Sequence, residues 1–104
     1  MGYIKHHAII VTSWFAGDIT QSRALAIDYG LTVSDVVRSP VNAYLSFIIV
    51  PDGSKEGWEE SEVGNWAREK WIDTIKGSAI DWVLVRYGGD EPELAKIENH
   101  NNNP

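Results

Sequence analysis

A chain of 104 residues with 43% hydrophobic and 23% charged side chains is sized and composed for a single globular domain, not for a disordered segment. The lack of cysteine excludes a disulfide scaffold, thiol chemistry and cysteine-ligated zinc or iron–sulfur centres. The formal net charge of -6 arises between residues 52 and 93, because Lys5, Arg23 and Arg38 balance Asp18, Asp28 and Asp35 before them. Such an acidic balance repels phosphate backbones and makes nucleic acid an unfavoured partner, while leaving a basic protein surface acceptable.

No secretory leader is expected, since His6 and His7 are followed by only four apolar residues, Ala8 to Val11. No apolar run is long enough to span a bilayer, so no membrane association is expected and the cytoplasm is the default location.

In chain order, Tyr3 to Trp14 alternates two residue sets that are both apolar in the middle, which predicts a strand central in its sheet. Asp18 as N-cap with Gln21 three residues on predicts a helix from Ile19 to Tyr29, stopped at Gly30. Val33 to Arg38 reads as an edge strand. The competing reading makes Ser34 the N-cap of one helical turn that Pro40 cuts short. Asn42 to Val50, closed by Pro51-Asp52-Gly53, is the second long apolar strand.

A polar loop then leads to a helix from Glu60 or Ser61 to about Lys76, stopped at Gly77. There Val63, Ala67, Trp71 and Ile75 recur every four residues, the clearest helical signal in the chain. Ile80 to Tyr87 is the last strand. Residues 1–93 are read as one α+β domain and residues 94–104 as a polar, disordered tail, with a helical turn possible at Leu94 to Ile97.

The resulting order β-α-β-β-α-β is that of a ferredoxin-like two-layer sandwich, with the second strand either complete or degenerate; without it, a three-stranded sheet with two crossover helices is left. Both helices then cover one sheet face and leave the other open. Alternation assigns to one face Ile9, Val11, Tyr44, Ile48, Val83, Val85 and Tyr87. The other receives Ile10, Leu45, Phe47, Ile49, Trp82 and Leu84. Either set is apolar, so a second copy of the chain is expected to cover the open face.

Chemistry-bearing constellations are sparse. His6 and His7 are adjacent on a strand, point to opposite faces and cannot chelate one metal, so neither metal nor cofactor is expected. His7 is the one acid–base candidate, because histidine as a class titrates near neutrality. Asp52 and Asp90 follow strand ends that the reading places at opposite edges, which makes them turn residues instead of a carboxylate pair.

Trp71 and Trp82 fit the core. Trp58, in the polar loop, is either a partner anchor or a cap on the second helix, and Trp14 is a further exposed candidate. Tyr44, Tyr87, Arg23 and Arg86 are candidates to line a small-ligand pocket at the sheet edge or a dimer seam, where an arginine would favour an anion.

These features lead to a small non-catalytic binding or regulatory protein, acting as a homo-oligomer on a protein partner or small ligand. One alternative is a small enzyme using His7 with Tyr44 or Asp90. The other is nucleic-acid binding across the sheet, with Tyr44 and Tyr87 stacking on bases.

Overall fold

The computed structural model describes residues 5–54, 57–88 and 95–101. Its elements are β1 (His6–Ser13), α1 (Ala16–Asp28), β2 (Val37–Arg38), β3 (Leu45–Ile49), α2 (Glu59–Ile75), β4 (Asp81–Tyr87) and β5 (Lys96–His100). The strands form one sheet in the order β2-β3-β1-β4-β5, with every neighbouring pair antiparallel. Both helices pack on one face of it. This is the ferredoxin-like two-layer arrangement with β1 and β3 inside the sheet, extended at one edge by β5.

The helices begin without the expected side-chain caps. Phe15, not Asp18, is the N-cap of α1, and the Ile19 N–H donates to its carbonyl at 3.3 Å. Asp18 instead stands in the first turn, where its charge meets the positive end of the helix. At the other end, Leu31 N–H donates to Ala26 O and Gly30 N–H to Ile27 O, both at 2.9 Å. This is a Schellman closure that needs the left-handed φ of 84° at Gly30. Trp58 is the N-cap residue of α2, which starts at Glu59, slightly before the expected Glu60 or Ser61.

The edge strand is broken. Val33 bridges Ile49 and Val37 pairs with Ser46, so one extra residue lies on the edge side between the two contacts. Ser34 fills the gap: its N–H donates to Ile48 O and its hydroxyl accepts the Ile48 N–H, each at 2.8 Å. The Ser34 side chain therefore serves the sheet and caps no helical turn.

The expected C-terminal disorder is corrected over Lys96–His100, which pairs with β4 as β5. Its sequence, KIENH, carries no strand pattern, and the pairing is made by backbone groups that complete the open edge of β4. The helical turn expected at Leu94 to Ile97 is not formed at Lys96 and Ile97, which are strand; Leu94 lies outside the described residues.

The core lies between helices and sheet. Ile9 and Val11 of β1, Phe47 and Ile49 of β3, and Trp82 of β4 meet Ile19 and Ala26 of α1 and Trp71, Ile72 and Ile75 of α2. The expected division of faces is corrected here. Ile9 pairs with Ile49 and Leu84, and Val11 with Phe47 and Trp82, so β1 enters the sheet in the opposite phase to the one assigned. Ile10 joins Ile48 and Val83 on the uncovered side. A strand apolar on both faces gives no signal for its phase, which its hydrogen-bonded register sets instead.

Candidate functional site

The uncovered face runs across all five strands. Ile10 and Ile48 at its centre are 43% and 40% exposed, and Ile97 near one edge is 65% exposed. Val37, Val83, Val85 and Tyr87 continue the surface. Of the polar groups on it, the Thr12 and Ser46 hydroxyls bond at 2.9 Å, and the His6 and Tyr87 rings lie in tilted contact with centroids 5.3 Å apart. Asp81, at one end, accepts a 3.0 Å bond from Asn101. Among the described strand residues on this face, Asp81 is the only Asp, Glu, Lys or Arg.

The candidates named from sequence are dispersed over the fold. Tyr44, just before β3, and Tyr87, on the uncovered side of β4, stand beside the end and the beginning of β1 respectively. Arg86 pairs with His7 on the helix side, facing away from Tyr87. Arg23 donates from Nε to Ser34 O at 2.9 Å and ties α1 to the broken edge strand. Trp14 is exposed past the end of β1, edge-on to Phe15. Trp58 keeps about half its surface in solvent while its backbone caps α2. Trp71 and Trp82 are buried as expected.

His7 lies near one end of the sheet on the helix side, its side chain 16% exposed, and its Nδ1–H donates to Glu98 Oε1 at 2.9 Å. Tyr44 is at the other end of the sheet, so the two do not meet; Asp90 lies outside the described residues. The expected separation of the strand ends after β3 and β4 is corrected. Both strands run antiparallel to β1, hence parallel to each other, and they leave the sheet at the same end.

Asp52, just past β3, organises that end. Its Oδ1 accepts from the Ser54 hydroxyl at 2.6 Å and the Ser54 N–H at 2.9 Å, and its Oδ2 lies 3.7 Å from Arg68 Nη1. Arg68, on α2, is 5% exposed and also donates to Asn65. The carboxylate reaches the helix only because Gly64 has no side chain there; a Cβ at that position would collide with Asp52 Oδ2. Burial pushes the Asp52 carboxyl up, but the Ser54 bonds and the charges of Arg68 and His7 outweigh it and hold it below the usual aspartate range.

Beside this pair is a cavity of about 430 Å³, between the C-terminal turn of α1 and the first half of α2. Sequence reasoning missed it, because its walls come from three segments far apart in the chain. Gly64, inside an otherwise helical pattern, is the one signal of a close approach.

The depressed carboxyl fixes a pH dependence. A group whose folded pKa lies below its unfolded value of about 3.9 stabilises the fold above that value, and the contribution disappears as pH falls through the folded pKa. Urea unfolding is therefore expected to show wild type more stable than Asp52→Asn near neutral pH, with the gap closing in the acid range below about pH 4. A gap that stays constant with pH would show that the carboxyl is not held low.

Among the described residues, no helix is long and apolar enough to cross a membrane, and no three His, Asp or Glu side chains are grouped to hold a metal. Comparison with protein-family models, curated proteins and solved structures finds no match to the chain.

Proposed function

We propose that the chain is a non-catalytic binding protein that works as a homo-oligomer, with two copies joined through their uncovered sheet faces. The observation that carries this reading is a broad apolar face nearly free of charge on a molecule of net charge -6. Isolated surface hydrophobics are ordinary, but a contiguous apolar face is not.

Charge selects a second copy as the occupant. Two molecules of like charge repel wherever acidic surfaces approach, and this face is where they approach with the fewest acids between them. Five strands about 4.8 Å apart give a footprint of roughly 24 by 20 Å, more than half of the roughly 800 Å² per partner of a standard interface. Stacking of nucleic-acid bases on Tyr44 and Tyr87 lacks support, since the described strand residues of this face bring no Lys or Arg to meet phosphates.

Native mass spectrometry with light scattering tests the reading on the purified protein. The expected result is a dimer, or a multiple of it, at micromolar concentration. A monomer across the whole accessible concentration range would overturn it.

A further inference from the structure

The cavity beside α2 lies on the helix side of the sheet, away from the uncovered face, and its volume of about 430 Å³ falls within the range of small-molecule sites. Its walls divide by chemistry. Leu31, Val50, Val63 and Ala67 supply apolar surface. The Tyr29 ring is held in place by a 3.0 Å bond between its hydroxyl and that of Thr74, and by edge-on contact with Trp66. Among the described lining residues, Asp52, Glu59 and Glu60 supply three carboxylates and Arg68 is the single cation.

The electrostatics point one way. Arg68 is buried and engaged with Asp52 and Asn65, so its charge is set against the Asp52 carboxylate. Glu59 and Glu60 remain in excess on the exposed first turn of α2, more than offsetting the partial positive charge of that helix end. The opposite wall includes Tyr29 and Gly30, at the negative end of α1, and the last turn of α1 has no basic residue to neutralise it. A small anion would meet three carboxylates and an occupied guanidinium. A cation meets complementary charge, and apolar walls favour a cation that carries hydrocarbon.

We infer that this cavity binds an organic ammonium ion with an apolar body, its head among Asp52, Glu59 and Glu60 and its body against Leu31, Val63 and Ala67. A free arylalkylamine and a lysine side chain of a partner share this chemistry. The inference is independent of the sheet-face dimer, which uses the other side of the molecule.

The test is a titration of the full-length, ¹⁵N-labelled chain with 2-phenylethylammonium, followed by amide chemical shifts. Neutral 2-phenylethanol, anionic 3-phenylpropanoate and Nα-acetyl-lysine methylamide are run in parallel. The ammonium ion is expected to shift the Leu31, Gly64 and Ala67 amides saturably, to bind about ten-fold more tightly than the alcohol, and to weaken with added salt. The anion is expected not to bind.

Asp52→Asn risks the fold through the buried Arg68, so the diagnostic variant is Glu59→Gln with Glu60→Gln, both on exposed positions. It should weaken the ammonium ion several-fold while leaving the alcohol unchanged. Tighter binding of the lysine mimic than of the arylalkylamine would identify a partner's lysine as the source; the reverse order would identify a free amine. Equal binding of ammonium and alcohol, shifts confined to other surfaces, or no binding of either amine up to its solubility would overturn the inference. Repeating the titration on a variant altered only at the sheet face separates failure of the cavity from failure of the dimer.

Discussion

Replacing Trp71 with alanine is expected to remove about 3–5 kcal/mol of stability and to bring the domain to the edge of unfolding at room temperature. Trp71 has no solvent exposure and is the largest of the fully buried side chains. It projects from the apolar stripe of α2 into the layer shared with Ile19 and Ala26 of α1 and with the sheet. Its indole Nε1–H also donates to Ser22 O at 2.9 Å, a backbone acceptor beneath a buried serine. Truncation thus opens a cavity and strands a buried carbonyl in one step.

Urea denaturation followed by far-ultraviolet circular dichroism measures the loss. Trp71→Phe separates its two parts: most of the ring volume remains, and the lost hydrogen bond alone should cost about 1–3 kcal/mol. A loss below about 1 kcal/mol for the alanine variant would mean that the helices are not anchored through this side chain.

The second large effect is on assembly. Ile10 sits in the middle strand of the sheet, paired with Ile48 on one side and Val83 on the other, and faces the uncovered side. In a monomer, Ile10→Lys places its ammonium in solvent and changes folding stability by no more than about 1 kcal/mol. In a dimer joined through this face, each copy buries a lysine among apolar side chains without a counter-charge. The dissociation constant should then rise by on the order of 100-fold or more. Sedimentation velocity across a concentration series reads the shift, and thermal melting confirms that the fold is retained. Ile27→Lys, at an exposed position of α1 outside the cavity, is the matched control and should leave assembly unchanged. An oligomer that tolerates Ile10→Lys would have its interface elsewhere.

What could be read from the residues follows how locally each feature is encoded. The four-residue recurrence of Val63, Ala67, Trp71 and Ile75 marks α2, and Ala67, Trp71 and Ile75 lie on its buried face as that period requires, although Val63 near its start is more than half exposed. The apolar runs of β1, β3 and β4 mark the strands, and the element order follows from them. The helix starts are harder to read, because Phe15 and Trp58 cap through their carbonyls and bring no side-chain signature.

β5 is hidden because KIENH is strand only by virtue of the β4 edge beside it. The phase of β1 is hidden because Ile9, Ile10 and Val11 would suit either face. The cavity is hidden for a topological reason. Residues near positions 30, 52 and 64 come together only when α1, the end of β3 and α2 are already packed, and no period within one segment encodes that meeting.

The position of β1 also sets an order of events during synthesis. It is translated before both of its sheet neighbours, β3 and β4, and β4 begins only at residue 81. Until the ribosome has released that segment, one flank of HHAIIVTS has no hydrogen-bonding mate. The stretch is β-branched, lacks proline and carries no Asp, Glu, Lys or Arg, the makeup that pairs readily with other chains. Joining distant segments across large loops is slow, since chain entropy is lost before contact energy is gained. The interval between making β1 and closing it with β4 is therefore the period of greatest risk for aggregation. Slower growth at low temperature, or a chaperone that holds β1 as it emerges, should raise the yield of native protein.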